Sequence, residues 1–241
     1  MDAGHAMAQN NLGVLYREGK GTRADPYEAT RWFRKAAAAG NHHAHHNLGV
    51  MYERGLGVKT DIRKALNHYE KALEAGNVLS MNAVAWIFEK GTSVPQNYPF
   101  AVRYYKLAAD NGYSMAMYNL ACMLRDGRGM AADPIAASVL MLKAAEKGNA
   151  YAQAAYASML EKGVGVNKDY VKSAEWYRRA AEQGLSVGQI QLALLLASGV
   201  SGDKGMVAAY KWLAVAAGNG HKGAEKFLKT IIKEMTEEQI T

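Results

Sequence analysis

Apolar and polar positions in this chain repeat at long range. Gly4, Gly40, Gly76, Gly112, Gly148, Gly184 and Gly220 follow one another at a constant 36-residue interval, with no insertion. Six full units, residues 5–40, 41–76, 77–112, 113–148, 149–184 and 185–220, are followed by a partial seventh beginning at His221. Positions are counted here from the residue after each glycine. Position 4 is always small (Ala8, Ala44, Ser80, Ala116, Ala152, Gly188). Position 8 is large (Leu12, Leu48, Val84, Leu120, Tyr156, Leu192), as is position 12 (Tyr16, Tyr52, Phe88, Leu124, Leu160, Leu196). A spacing of four puts all three positions on one face of a helix. That helix should end at position 15, a glycine in every unit from Gly19 to Gly199, because glycine tolerates the left-handed conformation that closes helices. Four units add a second glycine (Gly21, Gly57, Gly129, Gly165), replaced by Ser93 and Ser201 in the others.

A second helix is predicted to open at Asp25, Asp61, Asn97, Asp133 and Asp169, whose side chains can accept from free backbone N–H groups. Asp25-Pro26-Tyr27-Glu28 adds proline at the first helical position and glutamate at the third, a capping-box pattern. The sixth unit has Gly205 there and a weaker cap. Position 32 is alanine without exception (Ala36, Ala72, Ala108, Ala144, Ala180, Ala216), and aromatics precede it, as in Trp32-Phe33 and Trp176-Tyr177. A helix pair of this length cannot bury its apolar faces alone. Stacking pairs buries them, so the predicted fold is all-α: one right-handed helical-hairpin solenoid over residues 1–241, closed by a capping helix at 221–235.

The pattern Ala-x-x-x-Leu-Gly-x-x-Tyr-x-x-Gly-x-Gly-Val, a later Asp, and a closing Ala-Ala-x-x-Gly stretch is clearest from Ala44 to Gly76 and from Ala152 to Gly184. On these residues the chain resembles the Sel1-like repeats, relatives of the tetratricopeptide repeat. The resemblance implies a scaffold or adaptor that binds a peptide or partner protein in a concave groove lined by first helices. It also implies that first helices line that groove, and many bacterial members are exported, which points to a periplasmic or secreted setting. Cysteine-rich members linked to penicillin binding carry paired cysteines; this chain has only Cys122.

Composition narrows the alternatives. Lys+Arg total 29 against Asp+Glu 22, a mild excess of +7 with no clustered basic face of the kind nucleic acid requires. The cations fall late in second helices (Arg34-Lys35, Lys71, Lys106, Lys143, Arg178-Arg179), where they complement the helix dipole on a solvated face. No apolar run reaches the roughly 20 residues of a transmembrane helix. The Gly-x-Gly pairs end helices and follow no strand, so no phosphate loop is indicated, and no cofactor is expected. Cys122 at position 10 reads as a small buried hydrophobe. The densest candidate chemistry is His42, His43, His45 and His46. His42 and His46 are one turn apart and could share a metal or serve a hydrolase, but no carboxylate or nucleophile stands near them in sequence. The chain is therefore read as a non-enzyme.

The polar stripe on the first helices supplies the binding candidates: Asn10, His46, Asn82 and Tyr118 at position 6, Asn11, Asn47 and Asn119 at position 7, and Trp86 at position 10. Asparagine both donates and accepts, which suits a peptide backbone, although at position 7 it can equally bond between helices. The fifth and sixth units put Ala154, Ala155, Ile190 and Gln191 there, so the first four units are expected to meet a partner first. Asp2-Ala3-Gly4 reads as the tail of a preceding unit, and Thr236-Glu237-Glu238-Gln239 as a capping box opening another helix, so the chain is expected to be part of a longer protein.

Overall fold

The structure is a computed structural model describing residues 3–200 and 205–236, and these form thirteen α-helices. The first helices of the six repeats are α1 (Ala3–Glu18), α3 (His42–Arg54), α5 (Val78–Lys90), α7 (Ser114–Asp126), α9 (Ala150–Lys162) and α11 (Ser186–Ser198). The second helices are α2 (Pro26–Ala38), α4 (Ile62–Leu73), α6 (Tyr98–Asp110), α8 (Pro134–Glu146), α10 (Tyr170–Glu182) and α12 (Met206–Gly218), followed by α13 (Lys222–Ile232). The fold is an all-α solenoid of helical hairpins. It divides into two compact units, Met1–Tyr113 and Ser114–Thr241.

The same local chemistry closes every hairpin. Where α3, α5 and α9 end, Gly55, Gly91 and Gly163 are left-handed, with φ of 69°, 65° and 72°. The residue capping each second helix sends its backbone N–H to the carbonyl of position 12: Asp25 to Tyr16, Asp61 to Tyr52, Asn97 to Phe88, Asp133 to Leu124, Asp169 to Leu160 and Gly205 to Leu196, at 2.8–3.0 Å. Five of these side chains also accept from the first turn, whereas Gly205 makes no side-chain cap. The capping box at Asp25 is one-sided, because Glu28 turns to Arg31 at 3.1 Å and the Asp25 N–H is already used. The altered loop at Ser93-Val94-Pro95 keeps its register: Gln96 Nε2 donates to the Glu89 carbonyl at 2.8 Å. Asn41, Asn77 and Asn149 cap α3, α5 and α9 in the same way, a third periodic signal.

In the first unit, α2 packs on α3 and α4 on α5; in the second, α8 packs on α9, α10 on α11 and α12 on α13. Each core layer therefore belongs to two repeats. Ala29 and Phe33 meet Leu48 and Met51, and Ala65 and Tyr69 meet Val84 and Ile87. The invariant Ala36, Ala72, Ala108, Ala144, Ala180 and Ala216 are fully buried. Position 4 is buried from Ala44 to Gly188, where an added Cβ would press on Ala180 and Ala181 of α10; Ala8 is exposed. Position 12, expected in the core, is half-buried in five repeats, and its steadier contribution is the carbonyl that ties the loop.

The second glycine of the loop has two causes. Gly165 has φ of 68°, and a Cβ there would collide with the Pro134 carbonyl of the preceding repeat. Ser138 Oγ of that repeat donates to the Gly165 carbonyl at 2.8 Å. Gly57 meets Pro26 likewise, with Thr30 Oγ1 reaching Leu56 at 3.3 Å. Ala224 and Ile231 of α13, and Met235 just beyond its end, are buried against α12, whereas Phe227 is exposed. Asp2 and residues 237–239 of the sequence-predicted capping box, like Ser201, lie outside the described residues.

Candidate functional site

The first-helix face is built from positions 3, 6, 7 and 10, which spacings of three and four place on one side of a helix. In the first unit, the predicted stripe splits in two. Asn10 and Asn47 turn inward: Asn47 Nδ2 donates to Asn10 Oδ1 at 2.9 Å, and Arg17 donates to Asn47 Oδ1 at 3.0 Å. Both amides are buried, and their hydrogen bond holds α1 against α3. Asn11 is exposed. His46 is half-buried, its Nδ1 2.9 Å from Ser80 Oγ, and burial first, then the charges of Arg17 and His43, pull its pKa down to about 4. Asn82 is half-buried, and Trp86 one turn further on is 42% exposed. Asn10, Asn11, His43, His46, Asn47, Met7 and Leu79 line a hollow of about 370 Å³, the Asn10–Asn47 pair forming part of its floor.

The four histidines do not converge. His42 stacks on His43 with ring centroids 4.2 Å apart, His45 Nδ1 lies 3.0 Å from His68 Nδ1 on α4, and His46 turns to Ser80. His42 and His46, one turn apart, thus each have a different neighbour. Among the described residues, no three His, Cys, Asp or Glu side chains are grouped to hold a metal ion.

In the second unit, Tyr118 and Asn119 are half-buried. The Tyr118 hydroxyl bonds the Cys122 thiol, and burial followed by that neighbour pushes its pKa up to about 12. Cys122, expected in the core, is half-buried beside it, and its thiol is pushed up by burial. Tyr118 borders a cleft of about 550 Å³ whose other walls are Tyr151, Ala154, Ala155, Val187 and Gln191, with Arg125 and Lys162 at its edge. Ala154, Ala155 and Gln191 stand where the stripe was expected to lapse; the small side chains of Ala154 and Ala155 leave the space that forms this cleft.

Sequence reading missed position 3. Met7, Leu79, Tyr151 and Val187 occupy it and are all exposed. An apolar residue at that position in five of six repeats was legible, but the stripe was sought only at positions 6, 7 and 10. The late second-helix cations are exposed as expected, and two lie over indole rings, Lys35 at 4.3 Å from Trp32 and Arg179 at 4.4 Å from Trp176.

No helix among the described residues is long and apolar enough to cross a membrane. The profile of the Sel1 repeat matches residues 6–41, 42–77, 78–113, 114–149, 150–185 and 186–221. A protective antigen of uropathogenic Escherichia coli with an SLR fold is similar at 30% identity and a TM-score of 0.79, over 98% of this chain and 50% of its own. The chain thus spans about half the length of that relative. A Sel1 repeat protein from Oxalobacter formigenes matches at 29% identity and a TM-score of 0.79, over 88% of this chain and 84% of its own. An immunity protein of Pseudomonas aeruginosa, at 18% identity and a TM-score of 0.60 over 90% of this chain and 83% of its own, shares the fold. Among curated protein sequences, none matches. Six consecutive repeat matches and a solenoid of the same architecture make this chain a member of the Sel1 repeat family.

Proposed function

We propose that this chain is an adaptor that holds a peptide or partner protein on its first-helix face. The Sel1 repeat fold is generally a non-enzymatic scaffold for protein–protein interaction. The observation carrying the finer reading is the exposed apolar side chains at position 3 within each unit, Met7 and Leu79 in the first and Tyr151 and Val187 in the second. Exposed apolar side chains bordered by polar groups mark interaction surfaces. Asn11, His46, Asn82 and Trp86 border those side chains in the first unit, and Tyr118 and Asn119 in the second. Trp86 is the natural anchor, since interface energy concentrates in a few aromatic and Arg residues.

A photo-reactive residue at Leu79 or Tyr151, introduced in the native organism, should give discrete cross-linked partners, whereas the same residue at Lys71 or Lys143 on the second helices should not. Trp86→Ala should then weaken the captured interaction by about tenfold or more, a loss of about 1.4 kcal/mol. With the indole 42% exposed, its melting temperature should stay near that of the parent. Adducts from the second helices alone, or unchanged affinity in Trp86→Ala, would overturn this reading.

A further inference from the structure

We infer that the cleft of the second unit takes an acidic peptide: one carrying a large apolar side chain next to an Asp or Glu. The inference rests on the adaptor reading above and names the partner chemistry at one part of that surface. The cleft, about 550 Å³, has the size of an ordinary ligand pocket. Tyr118 and Tyr151 form one wall, with ring centroids 6.1 Å apart. Tyr151 and Val187 are 53% and 52% exposed, so apolar surface is left uncovered on both sides of the opening.

The charge is one-sided. Arg125 and Lys162 line the cleft, and among the described residues no Asp or Glu does. The repeat pattern explains how this comes about. Position 13 is Glu53, Glu89 and Glu161 in the repeats whose position 29 is a tyrosine, and each carboxylate accepts from that phenol: Tyr69 at 2.6 Å, Tyr105 at 2.8 Å and Tyr177 at 3.0 Å. In the fourth repeat position 29 is Met141, which offers no hydroxyl, and position 13 is Arg125. A cation thus replaces a carboxylate where the first-helix face opens into the cleft. Next to it, Glu161 is held by the Tyr177 phenol. Asp126 pairs with Arg125 at 2.7 Å and fixes the orientation of its guanidinium, leaving Lys162 as an exposed cation at the rim. Aromatic and aliphatic walls take an apolar side chain, Gln191 and Ser158 offer amide and hydroxyl groups to a peptide backbone, and Lys162, with the Asp126-paired Arg125 beside it, takes a carboxylate.

The test is to select peptides from a random display library on the full chain and measure the enriched sequences by fluorescence polarisation. The expected peptides are rich in Asp and Glu beside Leu, Ile, Phe or Tyr. Tyr151→Ala and Lys162→Glu change exposed side chains and should melt with the parent. Lys162→Glu should weaken binding about fivefold or more, as should replacing the peptide's acids by their amides, and raising salt should weaken it further. Peptides without acidic excess would overturn the inference. So would affinity unchanged by both variants, or displacement by a single-stranded oligonucleotide at equal concentration. Peptides that lose binding in Trp86→Ala but not in Lys162→Glu or Tyr151→Ala would leave the adaptor reading standing and remove this one. Failure to enrich any peptide would count against both.

Discussion

At the scale of single residues, burial of a polar group dictates what must stand beside it. Tyr69 is fully buried, and its phenol pKa is raised by burial and by Glu53, whose Oε2 accepts a hydrogen bond from the phenol O–H at 2.6 Å. In the first repeat the equivalent residue is Phe33, and Arg17 lies 6.0 Å from its ring centre. The identity of position 13 therefore tracks whether position 29 carries a hydroxyl. Glu53→Arg should leave the Tyr69 phenol without its acceptor and cost about 1–3 kcal/mol. Adding Tyr69→Phe to Glu53→Arg should recover most of that loss, a coupling of opposite sign to simple additivity. Urea denaturation of the two single variants and the double variant measures it, and a double variant less stable than Glu53→Arg alone would contradict the pairing rule.

At the scale of the element, the loop between paired helices is a docking piece as well as a turn. Gly21 and Gly165 share the same position and nearly the same backbone, with φ of 76° and 68°. Nothing lies within 4 Å of a Cβ at Gly21, whereas at Gly165 it would strike the Pro134 carbonyl. Gly21→Ala should cost only the left-handed conformation, about 1–2 kcal/mol. Gly165→Ala adds a backbone collision and should cost clearly more, because α8 must move away from the loop it caps. Thermal melts of both variants decide this, and equal losses would mean that the contact between consecutive repeats relaxes freely. Proline at the start of the second helix, Thr30 or Ser138 one turn on, and Gly57 or Gly165 in the next loop form a matched set at these two contacts.

At the scale of the whole molecule, a repeat array distributes its stability over neighbouring repeats, so a local titration has a local effect. His46 and His68 are both held near pKa 4, by burial first; Lys71, Arg34 and His45 add to the effect at His68. Folded-state values below the unfolded reference mean that the unfolded chain binds more protons as pH falls. These two groups therefore leave stability flat above about pH 6.5 and subtract from it progressively down to about pH 4. Below pH 6.5, protection against amide exchange, taken relative to the intrinsic rate at each pH, should fall in α3, α4 and α5 before it does in α8, α9 and α10. Substituting His46→Gln and His68→Gln together should flatten that dependence while leaving the acid limb due to Asp61 and Asp169, which titrate lower, in place. A uniform loss of protection across both units at pH 5.5 would contradict the assignment.

The repeat length, the hairpin in each repeat, the helix-ending glycines, five of the six caps and the fully buried alanines at position 32 were all legible in the sequence. Each rests on a local rule: a small residue fits where helices touch, an Asp or Asn satisfies a helix start, and a glycine closes a helix end. Such rules act within a few residues, and the 36-residue period states them six times. The candidate site depended on contacts the period does not encode. Asn10 and Asn11 are adjacent and chemically identical, yet Asn10 meets Asn47 across 37 residues and Asn11 faces solvent. The four clustered histidines were separated by what α4 and α5 placed beside them, His68 and Ser80. Ala154, Ala155 and Gln191, unremarkable in a row of letters, became a cleft once α7, α9 and α11 set Tyr118, Tyr151 and Val187 around them. Sequence determines which side chains share a helix face. Whether a side chain on that face is covered, bonded or open depends on the neighbouring repeat, and only tertiary packing decides that.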